Sequence, residues 1–119
     1  MQKTILVLAI ALLLLSCDDK DVETNPFIGT WIATSGYHDV FTKNTITVYD
    51  TSGNIYWKAA YTYDDINITA TVDAALSHPE MVATLEAKKG LIPYYFQDGY
   101  LFFNYVRLEK CDYQFTPSP

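Results

Sequence analysis

The chain has 119 residues, half of them hydrophobic and 15% aromatic, with 8 basic against 14 acidic side chains and a net charge of −6. That length suits one domain and hardly two. An acidic chain gains nothing from counterion release on nucleic acid and is not drawn to anionic lipid, so neither is expected as a partner reached through charge.

The first four residues carry one lysine, Lys3, and are followed by an unbroken apolar run from Ile5 to Leu15. This is the n-region and h-region pattern of an export signal. The run is too short to span a hydrocarbon core, which takes roughly 20 residues of helix. Leu14-Leu15-Ser16-Cys17 resembles the lipobox of bacterial lipoproteins: an aliphatic residue, a tolerated position, a small residue and a cysteine. No small-x-small cleavage site of an ordinary secretory signal follows the run. The resemblance implies that the Cys17 thiol carries diacylglycerol, that residues 1–16 are cut away, and that the new amine is acylated. Two or more acyl chains suffice for stable anchoring. The expected location is therefore the bacterial cell envelope, on the outer membrane, facing either the periplasm or the cell surface.

Residues 17–25 continue as Asp18-Asp19-Lys20-Asp21-Val22-Glu23-Thr24-Asn25, polar and without apolar periodicity, and read as a tether. Its reach is at most about 25–30 Å. The acidic cluster also resembles a surface-export signal of some bacterial lipoproteins, while in others an aspartate after the cysteine favours inner-membrane retention. The one other cysteine, Cys111, is left without an intrachain partner if Cys17 is lipidated, so the domain depends on its apolar core.

From Pro26 on, strands dominate. Phe27–Thr34, Tyr37–Thr42 and Thr45–Tyr49 are β-branched and aromatic, with Ile46 and Val48 alternating against threonines. A turn cluster at Asp50–Asn54 leads into a long strand on which Ile55, Trp57, Ala59, Tyr61 and Tyr63 share a face. Ile66–Val72 follows at period two. Residues Asp73–Glu80 hold at most a helical turn, and Met81–Ala87 reads as a sixth strand. Leu91–Gln97 and Tyr100–Leu108 close the series, joined by Asp98-Gly99, a strong hairpin signal. About eight short strands with short connections predict an all-β fold: an antiparallel up-and-down meander over 26–110, closed as a barrel or stacked as a barrel-like sandwich, with 111–119 as a tail.

Asn25-Pro26-Phe27-Ile28-Gly29-Thr30-Trp31 resembles the opening strand of small bacterial lipocalin-like lipoproteins, in which Gly-x-Trp begins the barrel just after the tether. The resemblance implies that Trp31 closes the barrel floor and that an arginine on the last strand lies across it. Arg107 is the one arginine in the chain and stands on the last predicted strand. Such a pair is worth about 0.5–2 kcal/mol. The lumen is then either a ligand cavity or filled by side chains.

No nucleophile elbow, phosphate-binding glycine loop or metalloprotease helix occurs, so no catalytic residue, cofactor or metal is expected. His38-Asp39 offers two ligands where a structural zinc site needs four, and His38 and His78 read as inert, solvent-facing residues. Asp64-Asp65 reads as turn chemistry. The aromatic content is the remaining signal. Trp57, Tyr61, Tyr63, Phe103 and Tyr105 are candidate contacts for a small apolar ligand held by a monomeric domain. Alternatively, outward aromatics around the last hairpin serve a protein or glycan partner, as in an adhesin or inhibitor, or the domain is structural. Labelling cells with a tagged palmitate analogue is expected to mark the wild-type protein and to leave the Cys17→Ser variant unlabelled.

Overall fold

The computed structural model describes residues 25–118; the expected export signal, Cys17 and the expected tether up to Thr24 lie outside the described residues. Eight strands follow one another around a closed barrel: β1 (Gly29–Ala33), β2 (His38–Phe41), β3 (Thr45–Tyr49), β4 (Ile55–Tyr63), β5 (Asn67–Val72), β6 (Leu91–Gln97), β7 (Tyr100–Phe103) and β8 (Val106–Lys110). Each pairs antiparallel with the next. β8 returns onto β1, setting Trp31 opposite Lys110 and Ala33 opposite Leu108. The fold is the up-and-down meander expected, closed as a barrel rather than stacked as a sandwich, and closure leaves no unpaired strand edge.

The count of eight agrees with the sequence pattern through two compensating differences. Residues 81–87, expected as a strand, belong to helix α1 (Pro79–Ala87), which follows a single 3₁₀ turn at Ala74–Leu76. Pro79 occupies the first turn, where its fixed φ is already helical and its missing N–H costs nothing. Met81, Ala83, Leu85, Glu86 and Ala87 are all good helix formers. The helix ends as Lys89 enters the left-handed region (φ 58°). The Lys89 N–H donates to Glu86 O and the Gly90 N–H to Leu85 O, the paired bonds of a Schellman end. Gly90 is required there, because a Cβ would collide with the Ala70 backbone.

The second difference restores the number. Tyr100–Leu108, expected as one strand, reverses at Asn104-Tyr105, both with positive φ (53° and 68°). Two such residues make the tight hairpin turn whose twist suits antiparallel strands. Asn tolerates this conformation and Tyr does so at a cost, which is why the Asn-Tyr pair does not read as a turn. The tail is not free either. Phe115 stacks on His38 with centroids 4.1 Å apart, and the Ser118 N–H donates to Gly53 O, so 111–118 folds back over the outside of β2 and β3.

The core is strongly polarised along the barrel axis. At the end where the chain enters, Phe27 is fully buried among five rings: Phe41, Tyr61, Tyr63, Tyr94 and Phe96, with centroids 4.8–6.1 Å away. It works as a plug. The Trp31 Nε1–H donates to Phe27 O at 2.9 Å, and Asn25 ties the incoming chain to the Tyr61 hydroxyl at 3.0 Å, which in turn donates to Thr42 O at 2.7 Å. At the opposite end, α1 lies over the barrel mouth and buries only Leu85 fully. Among the described residues, no helix is long and apolar enough to cross a membrane.

Phe27→Ala would open a void at the centre of this ring cluster and is expected to cost about 3–5 kcal/mol, measured as a fall in the urea unfolding midpoint. Tyr105→Ala, at a site 78% exposed, serves as the control and is expected to move the midpoint little.

Candidate functional site

Because strand side chains alternate, one register decides what faces the lumen. Trp31, Asp39, Val48 and Trp57 stand opposite one another across β1 to β4, and all four are buried. Three are apolar. The fourth is a carboxylate. Above the aromatic plug, Asp39, Val48 and Trp57 border a cavity of about 190 Å³ under α1. Val48, Trp57, Ile92, Phe103 and Leu108 form its walls, and Met81 and Leu85 its roof, while Tyr37 and Tyr56 also line it. The Trp57 and Phe103 rings lie nearly parallel, 6.4 Å apart, and Tyr37 meets Tyr56 edge-on at 5.4 Å.

Asp39 is 6% exposed and its carboxyl has no hydrogen-bond or ion-pair partner among the described residues. Burial alone pushes its pKa up, from 3.8 to about 7, since an apolar surrounding disfavours the charged form. Lys88 is the other charged group at the cavity, but its Nζ donates to Asn104 Oδ1 at 2.8 Å. The lumen thus contains a carboxyl whose hydrogen-bonding capacity is unspent in an otherwise apolar, aromatic space.

The residues singled out from sequence separate in space. Trp57 and Phe103 meet at the cavity. Tyr61 and Tyr63 stand at the other end of β4, packed on the Phe27 plug, and Tyr105 is exposed in the β7–β8 turn. The expected Trp31–Arg107 pair is replaced. Lys110 Nζ lies 4.7 Å from the centre of the Trp31 ring and donates to Ile28 O at 2.9 Å. Arg107 lies over Tyr100 instead, also at 4.7 Å. The reason is parity: Leu108 points inward, so Lys110 shares its face and Arg107 takes the opposite one. Gly29 belongs to the same arrangement, because a Cβ there would strike Lys110 Nζ.

Parity also decides the His38-Asp39 pair. Asp39 enters the lumen while His38 points outward, half-buried between Tyr113 and Phe115, not solvent-facing as its sequence context suggests. Adjacent strand residues on opposite faces cannot chelate one ion. Among the described residues, no three His, Cys, Asp or Glu side chains gather as a metal site. His78 is exposed at the start of α1. Cys111 is half-buried, with its thiol near Tyr113 O. Asp64 accepts the Ile66 and Asn67 N–H groups in the β4–β5 turn, which holds its carboxyl below the usual range.

Two components of the cavity escaped the sequence pattern. The roof did so because α1 reads as a strand. Asp39 did so because a charged residue beside His38 reads as a polar strand position or a metal ligand until its cross-strand neighbours, Trp31 and Val48, are known. Comparison with known proteins adds no assignment: no family model matches the chain, and no curated protein or solved structure matches it.

The raised pKa of Asp39 makes stability depend on pH. Below about 4, the carboxyl is protonated in both folded and unfolded chains. Between there and about 7 only the unfolded chain releases the proton, so stability falls as pH rises through this window. Asp39→Asn is expected to flatten that fall and to raise stability at pH 8 by about 1–3 kcal/mol, read from urea melts at pH 4, 6 and 8.

Proposed function

We propose that this chain is a lipid-anchored lipoprotein of the bacterial envelope, whose barrel, lipocalin-like in its opening strand, binds a small and largely apolar ligand. The observation that carries the reading is the cavity of about 190 Å³ between the Phe27 plug and helix α1. Clefts that bind small molecules are mostly apolar with few, well-placed polar groups. This one has aromatic and aliphatic walls and a single buried carboxyl. Its volume is below the usual drug-sized range and, at protein packing density, admits about ten non-hydrogen atoms. A long acyl chain or a tetrapyrrole does not fit. The Leu14–Cys17 lipobox supports the anchor, and a tether over 17–25 supports a domain held close to its membrane.

A second reading, a surface module for a protein or glycan partner, rests on the outer face of β6–β8. Tyr95 and Phe102 stack there, nearly parallel at 4.6 Å, and Tyr105 is exposed in the β7–β8 turn. The two readings depend on different residues. Thr84 lines the cavity from an exposed helix position, so Thr84→Trp fills the mouth without entering the core. Tyr95→Ser with Tyr105→Ser alters only the outer face.

Trp31→Phe leaves Trp57 as the sole tryptophan, a reporter inside the cavity. Small aromatic alcohols such as 2-phenylethanol are expected to change its fluorescence saturably, with micromolar to millimolar affinity, and Thr84→Trp to weaken binding at least tenfold when followed by calorimetry. The absence of saturable binding across a panel of aromatic and aliphatic compounds of this size would remove the ligand-binding reading.

A further inference from the structure

We propose that the cavity selects a small organic amine, whose ammonium group sits against the Asp39 carboxylate while its apolar, preferably aromatic, body fills the space between Trp57 and Phe103. This rests on the reading of the cavity as a ligand site and adds the chemical class of the ligand.

Four observations converge on that class. Asp39 is 6% exposed, on a strand face where its cross-strand neighbours are Trp31 and Val48. It borders the cavity, and no group among the described residues hydrogen-bonds or ion-pairs with it. A carboxyl set on an apolar strand face with no protein partner, open only to the cavity, is costly, and the packing of Trp31 and Val48 beside it gains nothing from its charge. Burial holds its pKa up at about 7, the behaviour of an acid lacking a counter-charge, and an ammonium in the cavity supplies one. In an apolar, aromatic lumen, a charge-assisted N–H···O bond is among the stronger contacts open to a small ligand.

The surroundings favour a cation as well. Trp57, Phe103, Tyr37 and Tyr56 line the same cavity, and aromatic faces attract ammonium groups while stacking on an aromatic body. Lys88 at the rim is already bonded to Asn104 at 2.8 Å and leaves the carboxylate unneutralised. An anionic ligand of the same size would set its charge against that of Asp39. A neutral one would leave the acid as it stands in the free protein. The volume limits the ligand to about ten non-hydrogen atoms, the size of an arylalkylamine and well short of a polyamine conjugate or a lipid.

Three probes of nearly equal shape test the inference on the full-length protein by isothermal titration calorimetry: phenethylamine, 2-phenylethanol and phenylacetate. Phenethylamine is expected to bind at least about tenfold more tightly than 2-phenylethanol, a margin of about 1.4 kcal/mol, and phenylacetate more weakly than either. In Asp39→Asn the advantage of the amine over the alcohol is expected to vanish, with near-ultraviolet circular dichroism verifying the fold. The wild-type ranking decides the matter even if that variant does not fold. Equal binding of amine and alcohol, or an amine preference that survives in folded Asp39→Asn, would overturn the amine assignment while leaving the cavity a ligand site. Failure of all three probes to bind would overturn the ligand site itself.

Discussion

Everything in this barrel depends on how its entrance strand is anchored, and the anchor is Phe27. A small eight-stranded barrel has an interior just wide enough for side chains to fill. Without a disulfide among the described residues, its cohesion comes from packing. Phe27 supplies the centre of that packing, surrounded by five rings contributed by β2, β4 and β6. It also holds the start of β1 in place, because its carbonyl accepts the Trp31 indole N–H. With β1 fixed, β8 has an edge to close upon. The Lys110 ammonium then bridges the seam from Trp31 to Ile28 O. Gly29 is the condition for that bridge, since any side chain there would occupy the position of the lysine.

A plug that fills one end so completely leaves the volume deficit at the other. Successive inward residues run from the ring cluster at the floor to walls made by Val48, Trp57, Ile92, Phe103 and Leu108 near the mouth, where the walls do not meet. A purely structural barrel would resolve this with one more aromatic from α1. The helix instead presents Met81, Thr84, Leu85 and Lys88 to the gap, with only Leu85 fully buried. The interior is therefore neither hollow throughout nor full, and the choice between those two states, posed from sequence, has a mixed answer set by side-chain volume along the axis.

How far the fold was legible in the sequence follows the same physics. Period-two patterning identified β3, β4 and β5 closely, because each carries its buried apolar residues at every second position: Ile46 and Val48, then Trp57, Ala59 and Tyr61, then Ile68 and Ala70. It misjudged 81–87, where a short apolar run fits either helix or strand and Pro79 as a first-turn residue was the deciding signal. It missed the Asn104-Tyr105 reversal, because a tyrosine in the left-handed region is no turn signature. At the site, Trp57 and Phe103 were accessible from patterning. The pairing of Trp31 with a cation was too, but with the wrong cation: Lys110, three residues beyond Arg107, has the inward parity. The role of Asp39 needed the register. A charged residue between Val40 and Phe41 on one side and His38 on the other looks like any strand polar position until the cross-strand neighbours are known to be Trp31 and Val48.

The position of the N-terminus ties the proposed anchor to the proposed ligand. Asn25 is fastened at the plugged end, to Tyr61 and the β2–β3 turn, so the described chain begins at the floor of the barrel. The cavity opens at the opposite end, beneath α1. If Cys17 carries the lipid, the mouth lies on the far side of the domain from the point of attachment. A protein that took its ligand from the bilayer would gain from the reverse orientation, with the mouth facing the acyl chains. A mouth facing the aqueous side suits a ligand that reaches it through water, and a protonated amine of about ten non-hydrogen atoms is such a compound. It is soluble enough to diffuse in solution, and its single charge can be matched inside by Asp39 while its apolar body meets the rings above the plug.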